Sequence, residues 1–451
     1  MKIKLCRNSA EKFIYFIWNV LFVLIIEVLL NEIAIVRSYG HIAIAGIIGI
    51  VIYVLLVSFP CKYYKSKKLK RLYKGYRLIE LVVWAITIAI FIGIYQIINA
   101  DYSIVTKIII MVYMCVVAFS LLVVGLIRVT ISSKQISLID KLIVLFLWWI
   151  PILNITMINR ICKKYKLEMI IENDKILLDE VRVENRVCKT KYPIVLVHGV
   201  FFRDWQLFNY WGRIPAELIK NGATIYYGKQ QSANSVEESA KELKENILNI
   251  MAGNGCEKVN IIAHSKGGLD ARYAVSKLGL GDKVASLTTI NTPHKGCKWA
   301  TVILNKVPDK VVDFVAKRYK RLFTILGDTC PDFKKSVVAL TYEECLEREK
   351  EMDDCEGVLY QSVMSRMKKA SSAPFPLNIL YYLVKKYDGD NDGLVGTYSA
   401  VHGDYLGLLD NKHNRGISHG DMIDLNRENI YGFDVREFFV KMVSGLKEKG
   451  L

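Results

Sequence analysis

The sequence predicts an all-helical transmembrane region followed by an α/β domain whose mostly parallel sheet is flanked by helices. Three observations predict it. Apolar runs of about twenty residues, the length a bilayer-spanning helix needs, crowd the part of the 451-residue chain before residue 160. Beyond residue 190, short Val- and Ile-rich runs alternate with helical patterns. Strands that are apolar throughout are covered on both faces, as in a parallel sheet. The net charge of +17 is also uneven: residues 1–170 hold 21 Lys and Arg against 7 Asp and Glu, the remainder 40 against 37. The basicity belongs to the apolar part, which argues against a nucleic-acid-binding face on the folded domain.

On this reading residues 1–165 form a transmembrane region of four to five helices, 166–189 a charged linker and 190–451 the α/β domain. Four spans are expected, over 13–36, 42–59, 78–99 and 104–127. A fifth candidate, 142–158, is short and holds Pro151 and Asn154, so it reads as re-entrant or interfacial. The first run follows basic residues but no small-residue cleavage site, so it reads as an anchor. Glu27 lies inside that run and is read as structural. The segment "CKYYKSKKLKRLYKGYR" carries eight positive charges and belongs on the cytoplasmic side. Four spans return Arg128, Lys134 and Lys141 to that side. The expectation is a multi-pass cell-membrane protein whose α/β domain faces the cytoplasm. The ten cysteines include no CxxC pair, so zinc and thioredoxin signatures are absent.

Within the α/β domain, "YPIVLVHG", "ATIYYG", "KVNIIAHS" and "VASLTTINTP" read as strands. Between them "SVEESAKELKENILNIM" opens with Ser235 and Glu238 at capping-box spacing. The third strand runs into "AHSKGG", which places Ser265 between a strand and a helix. A tight turn there needs small neighbours, and Ala263, Gly267 and Gly268 supply them. This is the nucleophile-elbow pattern with Ala in its first position. Upstream, "LVHG" ends a strand about 65 residues earlier, where an oxyanion loop would lie. The backbone N–H groups of Val200 and Lys266 are the expected donors. Downstream, "YDGDNDGLVG" offers Asp388, Asp390 and Asp392 as the acid, and "GISHGD" offers His419 as the base. His402 follows the acids too closely for an intervening strand, and His413 sits in a polar turn. Asp388 to Gly393 also matches the opening of an EF-hand loop, but its twelfth position is Ser399 rather than Glu.

In this order "PIVLVHG", "AHSKGGLDARY", "INTPHKG", "NDGLV" and "SHGD" resemble the bacterial triacylglycerol lipases of the α/β-hydrolase superfamily, over about residues 190–450. The resemblance implies an α/β-hydrolase fold, with Ser265 as nucleophile, Asp392 as acid, His419 as base and Val200 and Lys266 at the oxyanion hole. It also implies a lid insertion, about 297–345. There Val311, Val315, Leu322 and Leu326 recur near helical spacing beside Lys and Arg, as in a helix that meets a lipid surface. Many such lipases bind calcium near the histidine loop. Only Asp421 matches a ligand position, so no metal and no cofactor is expected. The expected function is hydrolysis of lipid carboxylic esters, with the bilayer and an ester substrate as partners and no nucleic acid or obligate protein partner. An acyltransferase with the same three residues, and a non-catalytic membrane scaffold, are the alternatives.

Overall fold

The computed structural model describes residues 64–99, 103–146, 151–182, 184–200, 209–306 and 332–451, together with 308, 317, 318 and 324. The chain divides at Glu180/Val181 into two units.

In the first unit, α1 (Lys67–Asn99) and α2 (Ile104–Ser132) are followed by α3 (Leu138–Phe146) and α4 (Pro151–Arg182). Leu72, Ile79, Val129, Ile161 and Tyr165 form a shared core. Asp140 accepts from Lys164 Nζ at 2.8 Å inside this unit. The expected spans over 13–36 and 42–59 lie outside the described residues. Those over 78–99 and 104–127 fall on α1 and α2. Among the described residues no helix is long and apolar enough to cross a membrane, and 109, 110, 113 and 114 of α2 are among those whose side chains lie outside that description. One reading needs correction. The linker expected over 166–189 is helical as far as Arg182.

The second unit is built on β1 (Ile194–Val197), β2 (Ile225–Tyr227), β3 (Val259–His264), β4 (Val284–Ile290), β5 (Leu359–Ser365) and β6 (Asp404–Leu409), in the spatial order β2-β1-β3-β4-β5-β6. Every pairing between these strands is parallel. The helices are α5 (Ile214–Lys220), α6 (Val236–Asn254), α7 (Lys266–Lys277), α8 (Lys298–Lys306), α9 (Phe333–Val338), α10 (Tyr342–Glu351), α11 (Leu377–Asp388) and α12 (Val435–Glu448).

The apolar run of β1 shows why the sheet is covered twice. Side chains alternate across a strand. Ile194 and Leu196 enter one core with Trp211, Leu218, Phe439 and Val443. Val195 and Val197 enter the other with Leu243, Ile247, Ala271 and Val275. Ser235 caps α6 by accepting the Glu238 N–H at 3.3 Å, but the Glu238 carboxylate turns to Lys241 at 2.8 Å instead of closing the box. Strand β5 went unread because Gln361, Ser362 and Ser365 break its apolar pattern. Their buried polar atoms are paired on and beside the sheet: the Thr288 hydroxyl donates to Gln361 Oε1, Ser362 Oγ accepts the His402 N–H, and Ser365 Oγ accepts from Asn291 Nδ2.

Candidate active site

Strand β3 is buried along its whole length and ends at His264. Ser265 follows at φ 56° and ψ −132°, and α7 starts at the next residue. A non-glycine residue in the left-handed region is strained by roughly 1–3 kcal/mol and persists only where its surroundings hold it. Here the Ser265 N–H donates to Ile290 O at 2.9 Å, and the Gly268 N–H donates to Ser265 O at 3.0 Å. Close backbone approach explains two of the small residues. A Cβ on Gly267 would lie 2.3 Å from the His198 carbonyl oxygen, and one on Gly199 2.7 Å from Ser265 Cβ. The end of β1 is thus pressed against the serine turn. Among the described residues the Ser265 side chain makes no hydrogen bond to His419; in unliganded sites such bonds are often long and close only around substrate.

Lys266 holds the first position of α7, where the backbone N–H has no partner within its helix. Its side chain is buried. The ammonium donates to Asp270 Oδ1 at 2.7 Å and to Ser239 Oγ at 3.0 Å. Burial pushes the Asp270 carboxyl up to about 6, against the pull of Lys266. Removing one member of such a pair leaves an uncompensated buried charge, a loss of about 3–5 kcal/mol.

The end of α11 and the loop after it carry three carboxylates to three different tasks. Asp388 accepts the Lys298 and Trp299 N–H groups at the start of α8. Asp390 pairs with Arg366 at 2.7 Å. Asp392 is fully buried. Its Oδ1 accepts the N–H groups of Leu394 and Val395 at 2.9 and 2.8 Å. Its Oδ2 lies 2.6 Å from His419 Nδ1 and accepts Asn291 Nδ2 at 2.7 Å. The His419 N–H also donates to the Asp392 carbonyl at 2.8 Å. The imidazole is therefore fixed against the carboxylate at ring and backbone alike. Its ring lies 4.4 Å, centroid to centroid, from that of His264, the residue before Ser265.

The other histidines go elsewhere. His402 contacts Asp354 at 3.1 Å and stacks on His294 at 4.8 Å, while His413 packs on Tyr431 at 4.4 Å. Asp421 is taken up by Arg415, whose two terminal nitrogens donate to it at 3.1 and 3.2 Å. Its Oδ2 also accepts the Ser418 N–H at 2.8 Å, one residue before His419. Among the described residues no group of three or more His, Cys, Asp or Glu side chains is placed to hold a metal. The expected lid helix, with Val311, Val315, Leu322 and Leu326, lies outside the described residues.

Two participants carried no usable sequence signal. Asn291, at φ 49° after β4, bridges Asp392 to β5: its Nδ2 donates to both Asp392 and Ser365 Oγ, and its Oδ1 accepts the Ser365 N–H at 3.0 Å. Tyr210 is the other. Its oxygen accepts the Gly199 N–H at 3.0 Å and lies 2.7 Å from His264 Nδ1.

Residues 191–295 match the family described as Lipase (class 2). A triacylglycerol lipase of Vibrio cholerae serotype O1 is 30% identical over 287 residues, which cover 58% of this chain and 90% of that protein. The chain belongs to the triacylglycerol lipase family. A second triacylglycerol lipase, from Pseudarthrobacter phenanthrenivorans, is 35% identical over 119 residues, covering 25% of this chain and 37% of that lipase. One from Burkholderia plantarii is also 35% identical over 119 residues, covering 25% and 33%. As a member of this family the chain is an ester hydrolase.

Burial has a consequence for pH. His264 and His294 are both enclosed, and desolvation, followed by repulsion from His419 and His402 respectively, holds each well below the usual 6.5. A histidine whose folded pKa is depressed adds stability above its unfolded pKa, and that stability is lost as pH falls toward the folded value. Asp270, with its raised pKa, works in the opposite sense: its protonation on acidification favours the folded state. His294→Asn therefore isolates one histidine. Between pH 6 and 5 the variant's urea-unfolding free energy is expected to fall less steeply than the wild type's. The slopes should differ by up to about 1.4 kcal/mol per pH unit.

Proposed function

We propose that the protein is a membrane-held serine ester hydrolase that cleaves carboxylic esters of lipids through an acyl-enzyme, with Ser265, Asp392 and His419 as its triad. The observation that carries this reading is the buried Asp392–His419 pair, at 2.6 Å, set beside the strained turn of Ser265. In this mechanism Ser265 Oγ attacks the ester carbonyl carbon and its proton passes to His419 Nε2. Asp392 keeps the other ring proton on Nδ1 and favours the imidazolium that forms. The Val200 and Lys266 N–H groups meet the oxygen as it gains charge, at the positive end of α7. The tetrahedral adduct collapses, His419 gives its proton to the departing alcohol, and the acyl group stays on Ser265. Water then repeats the sequence, with His419 again taking a proton, and the fatty acid leaves.

Membrane attachment is assigned to residues 1–165. In its favour, α1 and α2 expose large apolar side chains, including Phe91, Ile98, Ile104 and Met111. The twenty residues from Ile108 to Ile127 contain no charge, about what a span requires. The basic segment between Lys62 and Arg77 favours a cytoplasmic site for the hydrolase unit. Cys256, Cys297, Cys345 and Cys355 of that unit are free thiols, which suits a reducing compartment.

The test is fatty-acid release from emulsified triacylglycerol and from a soluble short-chain ester by the full chain in detergent. Ser265→Ala should lower both at least 10³-fold. Retained activity in that variant would remove Ser265 from the role.

A further inference from the structure

We propose that Tyr210 is a positioning residue for ester cleavage, one hydroxyl that ties the oxyanion turn to the platform on which the catalytic base rests. The proposal rests on the assignment of Ser265, His419 and Val200 above. Two groups from separate parts of the chain meet at the Tyr210 oxygen, and a third lies one ring beyond. The Gly199 N–H donates to its oxygen at 3.0 Å. That oxygen lies 2.7 Å from His264 Nδ1. The His264 ring in turn faces His419 at 4.4 Å. Tyr210 and His264 are both buried, so the geometry is not shared with bulk solvent.

The proton count fixes the direction of the relay. The tyrosine oxygen already accepts from Gly199, so its own O–H is the proton available for His264. His264 Nδ1 is then the acceptor, and the neutral ring carries its proton on Nε2. Two consequences follow for the reaction. First, Gly199 spends its N–H on Tyr210, so the next donor along the turn, Val200, is the one left to face the ester oxygen. Second, His264 stays neutral against His419. A second cation 4.4 Å from the base would oppose formation of the His419 imidazolium. The Trp211 ring, 6.4 Å from His264 and packed edge-on to it, closes the site from the side of the core.

Tyr210→Phe keeps the ring and removes only the hydroxyl. With rates normalised to sites titrated by a fluorophosphonate, kcat should fall roughly 10- to 100-fold while KM stays within about twofold, because the loss falls on the charged transition state. His264→Gln should lower kcat as well, and the double variant should be no slower than the slower single one, since both cut the same relay. A Tyr210→Phe enzyme with kcat within twofold of wild type per titrated site would overturn the proposal. So would strictly additive losses in the double variant. A variant that unfolds at lower temperature but turns over normally per site would show Tyr210 to be structural only, and would likewise overturn it. Ser265→Ala in the same assays keeps the two ideas apart. If that variant is active the triad assignment fails; if it is dead and Tyr210→Phe is normal, only the relay fails.

Discussion

Replacing His419 with alanine is expected to lower kcat for ester cleavage on the order of 10⁶-fold, close to the loss from removing the nucleophile itself. A serine hydroxyl is a weak nucleophile until a neighbouring base takes its proton. The candidate base beside Ser265 is His419, since His264 is enclosed and turned to Tyr210 through Nδ1. The backbone contact from the His419 N–H to the Asp392 carbonyl survives the truncation, and the Asp392 carboxylate keeps the Leu394 and Val395 N–H groups and Asn291 Nδ2, so the fold should stay intact. Circular dichroism and the unfolding midpoint should match wild type. Rescue of His419→Ala by His402 or His413 is not expected, because those rings are engaged with Asp354 and Tyr431.

Replacing Asp392 with asparagine is expected to lower kcat by about 10⁴-fold near neutral pH, with little change in KM. The amide nitrogen can donate where the carboxylate accepts. The Oδ1 position receives two backbone N–H groups, from Leu394 and Val395, so the amide oxygen should settle there. That puts NH₂ against His419 Nδ1 and against Asn291 Nδ2. The ring would be driven to the tautomer with its proton on Nε2, which cannot take the serine proton. The check is kcat measured across pH, where the loss should shrink in alkaline solution as hydroxide takes the place of the base. A loss under tenfold would mean that Asp392 only shapes the loop.

The parts of this site that the sequence disclosed are those whose constraints are local. A strand running into a turn, the small residues at 263, 267 and 268, and a helix directly after are all forced by one tight bend at Ser265. The order of acid and base along the chain follows from the order of the strand ends. Asn291 and Tyr210 were not legible for the opposite reason. Asn291 meets Asp392 across 101 positions and Tyr210 meets His264 across 54, and nothing near either residue in the chain distinguishes it from an ordinary loop amide or core tyrosine. Arg415 is similar: its role appears only once Asp421 has folded back onto it. The polar β5 was hidden because its hydroxyls and amide are paired on and beside the sheet, which periodicity does not register.

The central claim is that Ser265 is activated by its surroundings. The full chain in detergent, labelled with a fluorophosphonate, digested and analysed by mass spectrometry, tests this most directly. A single phosphonyl adduct is expected on the peptide containing Ser265, absent in Ser265→Ala and formed at least 10³-fold more slowly in His419→Ala. An adduct on another serine, or labelling of Ser265 at the same rate without His419, would contradict it.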